Sequence, residues 1–490
     1  MGILCDNYKG GRVNKKFIYN FIFVLFFGWW GGASAFADSR APLDIRPDLD
    51  NQDLSGVSWA IGSLREAEPQ WRLRETEPKN PASVMKLLTA WSALNLWGPS
   101  YVWQTLVKGT PPDQNGVMHS PLYLVGGGDP GMTIEQWNGL IQGLWDMGVR
   151  DLSAGVVLDQ SLFVDPADHR AITVDQQTAR AYNVAPAALQ VGYKAMNIIL
   201  QPSGEQVMIQ TDLNLRAITI INQLKLVDGA CSGDWKSHLG LSVENTEWRS
   251  EVFLEGVYPK QCFRKNIEVS VLHNEAYLYA TFKKTWQDLG GRLPPIPTLG
   301  QAPATLPILL NWPSDSLGIC IQRMNKMSSN PMARNLFLDL SVQPDQAGSE
   351  SASFNQVQRE LQEKGLNFPE LIMKNGAGLS RDDRISAQHL WQLLKVAHEG
   401  PWQPEFESAF SLWGVDGTVR HQEQYPNCVI RVKTGTLDGV RALAGLVYPK
   451  GGVVQGIVLL NTGATEGMDT LERTWLHKLC LGALAETPVR

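Results

Sequence analysis

The chain has 490 residues, a formal charge of −6, 43% hydrophobic residues and 19% charged residues. That length exceeds one ordinary core and sets an expectation of two or three domains, while the composition excludes a disordered or fibrous chain. The negative balance, with no Lys/Arg block after residue 16, excludes a basic nucleic-acid-binding surface.

The chain opens with Lys9, Arg12, Lys15 and Lys16, then an apolar stretch from Phe17 to Trp30, then Ala35-Phe36-Ala37 before Asp38. This pattern predicts a secretory signal peptide over residues 1–37. The apolar stretch is short for a membrane span, so cleavage is favoured over an uncleaved anchor. The mature chain is expected in the periplasm, where disulfides can form. Cys231 and Cys262 lie in a segment rich in Gly, Ser and charge, and could close one loop. Cys320, Cys428 and Cys480 lie in apolar runs and read as buried thiols.

Residues 38–108 carry a strand pattern at Val57–Ile61 and then an apolar helical run after Lys86. Residues 109–274 change character. Short β-like runs at Leu122–Val125, Val156–Leu158, Ile198–Leu200, Val207–Ile209, Ala217–Ile221, Val252–Leu254 and Val269–Leu272 alternate with turns, around one helical pattern near Trp137–Trp145. From residue 275 helical patterns return at Ala276–Leu289, Leu317–Met327, Met332–Leu340, Phe354–Lys364 and Ala387–His398. Three strands, Val429–Thr436, Val440–Tyr448 and Val453–Leu460, and a last helix, Leu471–Leu484, follow. The simplest architecture is a discontinuous α/β domain, 38–108 with 275–490, interrupted by a β-rich module over 109–274.

Three short motifs carry chemistry. In Asn80-Pro81-Ala82-Ser83-Val84-Met85-Lys86, a lysine three residues after a serine shares its helix face. Asn80 and Pro81 suit an N-cap and a first helical position, which places Ser83 at the positive helix end. Burial beside Met85 and Leu87 favours a neutral, basic Lys86 amine. Ser83 is then a nucleophile with its base one turn away; the bland alternative is a surface serine and a snorkelling lysine. Ser328-Ser329-Asn330, after Lys326, reads as a helix cap or as a hydroxyl and an amide aimed into a cleft. Lys433-Thr434-Gly435-Thr436 reads as a strand with a cation and hydroxyls beside a glycine that admits a close neighbour, or as a lysine-guarded edge.

S-x-x-K, S-x-N and K-T-G in this order form the set of penicillin-binding proteins and class A β-lactamases. The 245 residues between Ser83 and Ser328 (328 − 83) are too many for a plain β-lactamase. With Gly126-Gly127-Gly128-Asp129-Pro130, Lys374–Arg381, Gly414–Arg420 and Lys433–Val440, the sequence resembles the D-alanyl-D-alanine carboxypeptidases/endopeptidases of the peptidase S13 family, the class C type-4 penicillin-binding proteins. The resemblance spans essentially the whole mature chain. It implies a penicillin-binding/β-lactamase-like transpeptidase domain, an antiparallel sheet with flanking helices, with an insertion of one or two small β-rich domains.

It also implies roles. Ser83 would attack the D-alanyl carbonyl, with Lys86 as base and an oxyanion hole from the Ser83 and Thr436 N–H groups. Ser328 and Lys433 would carry the proton to the leaving amine, and Asn330 would bind the substrate amide. Lys433, Thr434, Gly435 and Thr436 would form the carboxylate-binding edge. Arg381 would stand near the stem-peptide side chain, and Cys231 and Cys262 would match a cysteine pair of the insertion. Some relatives place an acidic residue from the insertion against that side chain, at a position that aligns near Gly192. The implied partners are peptidoglycan stem peptides and muropeptides, with β-lactams as covalent inhibitors. No cofactor or metal is implied.

Other classes fit less well. A serine β-lactamase lacks support from length, and a non-hydrolytic penicillin-binding sensor or scaffold would bind β-lactams without cleaving peptides. Gly126–Gly131 spells G-x-G-x-x-G after a strand, yet Asp129 and Pro130 would bring negative charge and remove a donor where a pyrophosphate needs the opposite. The eight histidines show no H-E-x-x-H spacing for a zinc peptidase.

Overall fold

The computed structural model describes residues 53–164, 179–231, 233 and 235–481. The expected signal segment and the end of the expected last helix at Leu484 lie outside them. In chain order the elements are β1 (Val57–Ser63), β2 (Trp71–Leu73), α1 (Lys86–Trp97), β3 (Gln104–Lys108), β4 (Leu122–Val125), α2 (Ile134–Asp146) and β5 (Val156–Asp159). Then come β6 (Met196–Ser203), β7 (Gln206–Thr211), β8 (Ile218–Val227), β9 (Leu239–Asn245), β10 (Ser250–Pro259), β11 (Lys265–Val269), α3 (Asn274–Asp288), β12 (Thr298–Leu299) and β13 (Ile308–Pro313). The last third holds α4 (Leu317–Lys326), α5 (Asn330–Asp339), α6 (Glu350–Glu363), α7 (Ala387–Glu399), α8 (Gln403–Ser408), β14 (Ser411–Leu412), β15 (Cys428–Leu437), β16 (Val440–Pro449), β17 (Gln455–Thr462) and α9 (Met468–Cys480).

A six-stranded antiparallel sheet in the order β14-β15-β16-β17-β1-β2 joins the two ends of the chain, with Val57 opposite Asn461 and Ser63 opposite Gln455. Strand β17 is buried on both faces, from Gln455 to Asn461. That two-sided burial explains its unbroken apolar run, Ile457-Val458-Leu459-Leu460. One face packs on a helical core that includes Leu87, Leu88 and Trp91 of α1, Phe337 of α5 and Trp391 of α7. The other packs on Leu471, Trp475 and Leu479 of α9. This is the expected antiparallel sheet with flanking helices.

The inserted module is built from two parts. One is a mixed five-stranded sheet, β12-β5-β4-β3-β13, covered by α2 and α3. Thr133 closes a capping box with Gln136 at the start of α2, and Trp137, Leu140, Ile141 and Leu144 bury one helical face. The other part is a pair of three-stranded sheets, β8-β10-β9 and β11-β6-β7, that share one core. The pairing moves the expected borders. Strand β3 and strand β13, paired from Gln104–Pro313 to Lys108–Ile308, belong to the inserted sheet, and Phe282 and Trp286 of α3 pack in its core. The segment 275–313 therefore packs with the insertion rather than with the six-stranded sheet, because its apolar face completes the cover over β4 and β5.

Two cysteine readings meet different outcomes. Cys231 and Cys262 form a disulfide. Cys428 and Cys480, expected as buried thiols, form a second one that ties the start of β15 to the end of α9. Sequence distance hid it, since the two come together only when α9 folds back across the sheet. Cys320 is a buried free thiol.

The glycine run after β4 has a packing explanation. A Cβ on Gly127 would lie 2.0 Å from the Gln104 carbonyl oxygen, and one on Gly128, at φ +84°, would lie 2.1 Å from Asp339 Oδ1. The run admits neighbouring protein groups at close range, as a tight turn does.

Candidate active site

Ser83 does not sit inside the α-helix. It lies in a 3₁₀ turn, Ala82–Met85, and α1 begins at Lys86. Pro81, expected as the first helical residue, is instead the N-cap of this turn, and Asn80, expected as the N-cap, stands one residue earlier with its Oδ1 accepting the Ala82 N–H at 2.9 Å. In a 3₁₀ turn residues i and i+3 eclipse one another. Lys86 is thereby stacked over Ser83, with Nζ 2.8 Å from Ser83 Oγ.

Lys86 is fully buried. Its Nζ also lies 2.7 Å from Asn330 Oδ1 and 2.7 Å from the Ala377 carbonyl oxygen. Burial, reinforced by the neighbouring Lys433 charge, pushes the Lys86 pKa well down, and Asp383 opposes the shift. A neutral amine has two N–H groups and one lone pair. The Asn330 and Ala377 oxygens can only accept, so they take both N–H groups and leave the lone pair to the Ser83 hydroxyl. The orientation of Asn330 follows from its other end: Nδ2 donates to the Tyr182 carbonyl at 3.0 Å. The Ala377 carbonyl comes from the Lys374–Arg381 stretch, where Gly378 packs against the Ala82 carbonyl. Buried Asp383 holds that stretch by accepting the N–H groups of Lys374 at 2.9 Å and Ser380 at 3.3 Å.

The second and third motifs meet across the same cleft. Lys433 Nζ donates to Ser328 Oγ at 2.9 Å and to the Thr434 carbonyl at 2.6 Å. Burial alone lowers the Lys433 pKa to about 7. Ser328 adopts φ +55°, a left-handed backbone unusual outside glycine. An ion pair between Lys326 and Asp416, at 2.5 Å, ties its loop to the 413–420 segment. Ser83, Ser328, Thr434 and Thr436 line one open cleft of about 360 Å³, joined by Trp413, Thr418 and Gln422.

Not every expected residue faces that cleft. Gly435 packs on the nucleophile turn, with a Cβ there 2.7 Å from the Pro81 oxygen. The space belongs to protein backbone, not to substrate. Arg381 is not among the cleft-lining residues; it is exposed at the β15–β16 turn, where it donates to the carbonyl of Asp438, two residues past Thr436, at 2.5 Å. Gly192 lies in the insertion against Ile134 and Tyr277, at φ +54°. Three contributors were missed. The Ala377 and Tyr182 carbonyls are backbone groups and carry no sequence signal. Thr418 hydrogen-bonds Thr434 at 2.8 Å and lay within the Gly414–Arg420 stretch that marked the resemblance.

The sequence profile of the D-Ala-D-Ala carboxypeptidase 3 (S13) family matches residues 44–475. The chain belongs to this family. It is 25% identical over 459 residues to a D-alanyl-D-alanine carboxypeptidase of Actinomadura sp. (strain R39), covering 87% of this chain and 83% of that protein. It is also 25% identical over 402 residues to D-alanyl-D-alanine carboxypeptidase DacB of Haemophilus influenzae, covering 79% and 81%. The crystal structure of penicillin binding protein 4 (dacB) from Haemophilus influenzae shares the fold, with a TM-score of 0.73 at 22% identity over 86% of this chain and 96% of that one. Within this S13 chain no helix among the described residues is long and apolar enough to cross a membrane.

Proposed function

We propose that this S13 protein is a serine peptidase that works in the periplasm after removal of residues 1–37. It would hydrolyse the D-alanyl-D-alanine ends, and D-alanyl cross-links, of peptidoglycan stem peptides. The observation that carries the reading is the Lys86 amine, whose two N–H groups are taken by Asn330 and Ala377 and whose lone pair is left to Ser83 Oγ.

Ser83 Oγ loses its proton to Lys86 and attacks the D-alanyl carbonyl carbon. The oxyanion that forms is held by the backbone N–H groups of Ser83 and Thr436, a type of contact worth about 3–4 kcal/mol per donor. The proton passes through Ser328, held by Lys433, to the leaving nitrogen, and the C–N bond breaks. Lys433, Thr434 and Thr436 hold the leaving carboxylate. Asn330, whose amide is held between the Lys86 amine and the Tyr182 carbonyl, orients Lys86 toward Ser83 and would meet the substrate amide only by exchanging one of these bonds. Water then releases the acyl group. A β-lactam acylates Ser83 by the same steps, but its leaving amine stays tethered.

The test uses wild type and Ser83→Ala with a fluorescent penicillin and a D-Ala-D-Ala-terminated peptide. Wild type takes the label and releases D-alanine; Ser83→Ala does neither. Covalent labelling that persists in Ser83→Ala overturns the assignment. Labelling of wild type with no cleavage of any muropeptide makes it a sensor or scaffold, and rapid turnover of penicillin makes it a β-lactamase.

A further inference from the structure

The cleft does not end at the carboxylate-binding edge. Ser328, fixed by Lys433, stands where a leaving nitrogen takes its proton, and the Thr434 hydroxyl next to it meets Thr418. Space on the Thr418 side of Ser83 is therefore leaving-group space. The cleft as a whole holds about 360 Å³, and a leaving D-alanine would present one methyl group on this side.

Its walls are built and polar. Arg441 of β16 stands opposite Thr436 of β15, on the same face of the sheet. The guanidinium is held by a bidentate pair with Glu472, each contact 2.9 Å, and by Asp469. Glu472 is almost fully buried, so this pair is a fixed feature and not a surface accident. Trp413 Nε1 donates to the Glu423 carbonyl at 3.0 Å, and its ring, packed in the core beside α9, shows only an edge to the cleft. Gln422 accepts from Arg473 through Oε1 at 3.2 Å, which fixes the side-chain amide in one orientation. The segment is shaped by Gly414 and Gly417, both at positive φ, and is clamped by the Lys326–Asp416 pair. An aromatic edge, an oriented amide and an ion pair suit a chain carrying amide groups, not a methyl group.

We propose that Trp413, Gln422 and the Arg441–Glu472 pair form a leaving-group subsite for the amine-donating residue of a D-alanyl cross-link. That residue bears a carboxylate beside the leaving nitrogen and a long side chain that continues into peptide. The subsite rests on the function proposed above. The chemistry is unchanged: the Ser83 Oγ–carbon bond forms, the carbon–nitrogen bond breaks, and the leaving nitrogen takes the proton. The subsite favours cross-link cleavage over release of terminal D-alanine.

The experiment measures kcat/KM on a monomeric stem pentapeptide and on a cross-linked muropeptide dimer, for wild type, Gln422→Ala and Gln422→Trp. Thermal midpoints and penicillin labelling confirm that each protein is folded and competent. Gln422→Trp fills the subsite, and the ratio of dimer cleavage to D-alanine release falls at least tenfold; Gln422→Ala lowers it about threefold. An unchanged ratio in the folded tryptophan variant overturns the subsite. So does a wild type that is labelled and releases D-alanine but leaves the dimer intact. A wild type that neither takes penicillin nor cleaves either substrate overturns the function itself, and the subsite with it.

Discussion

Gly435 and Ser83 are in backbone contact: a Cβ on Gly435 would lie 3.0 Å from the Ser83 nitrogen and 2.7 Å from the Pro81 oxygen. Both neighbours are main-chain atoms, so an added methyl must push the nucleophile turn away from β15. Gly435→Ala is expected to cost about 1–3 kcal/mol, the usual range for overpacking. It should also slow penicillin acylation more than tenfold, because the two expected oxyanion donors, on Ser83 and Thr436, stand on the two surfaces being separated. Stopped-flow acylation beside thermal unfolding checks both. Full acylation at wild-type rate would mean the two surfaces are not coupled.

The two lysines set a pH profile. The active form needs Lys86 neutral and Lys433 charged. Burial and the Lys433 charge depress Lys86, so its neutral form is lost, and the rate falls, as pH drops through that lowered pKa. Lys433 loses its charge as pH rises through about 7, which weakens the carboxylate hold. The kcat/KM profile is therefore bell-shaped, with its alkaline limb near 7, set by Lys433, and its acid limb set by the lowered Lys86. Lys433→Arg, which stays charged, moves the alkaline limb upward while lowering the maximum through altered geometry. A profile still rising at pH 9 in wild type would refute this assignment of the limbs.

Much of this site was legible because its chemistry is written in short local patterns. Ser83 and Lys86 are one turn apart, and Lys433, Thr434 and Thr436 lie on one strand, so spacing alone places them together. The long-range facts were not legible. Asn330 finds Lys86 across 244 residues, and the Ala377 carbonyl finds it across 291. Backbone acceptors carry no residue signature, and Asp383 acts only through the loop it holds. The strands β15, β16 and β17 were read nearly to their ends because apolar runs between turns mark buried strands. The inserted sheet was harder: β13 pairs with β3 across some 200 residues, and nothing in Ile308–Pro313 announces its partner.

Asp383 should be visible in the pH dependence of stability. Burial raises its pKa from 3.8 to about 7, against the N–H donors of Lys374 and Ser380. The folded state then keeps a proton that the unfolded chain releases, so this contribution is full below 3.8 and is lost as pH rises toward 7. The loss is as much as ~4 kcal/mol for a shift of this size. Asp129, raised to about 6, acts in the same direction, while Glu370, lowered to about 2, adds stability as pH rises from about 2 to the unfolded value of 4.5 and none beyond it. Asp383→Asn stays neutral throughout, so its thermal midpoint gains on wild type between pH 4 and pH 7. A constant difference between the two proteins over that range would show that the Asp383 proton is not linked to folding.

The Cys428–Cys480 disulfide closes a separation of 52 residues and pins the start of β15 to the end of α9. Cross-linking a loop of this length removes unfolded-state entropy worth about 4 kcal/mol in the chain-entropy treatment. The double variant Cys428→Ser/Cys480→Ser is expected to lose most of that, read as a lower denaturant midpoint. The effect should reach the catalytic edge only weakly. Cys428 begins β15 five residues before Lys433, and β15 stays paired along its length with β16, from Cys428–Pro449 to Leu437–Val440. Penicillin acylation by the folded variant should therefore stay within about threefold of wild type at 25 °C. Wild type in a reductant strong enough to open the bond should shift its midpoint by a similar amount. A double variant as stable as wild type would show that the α9 packing through Leu471, Trp475 and Leu479 holds this corner without the covalent link.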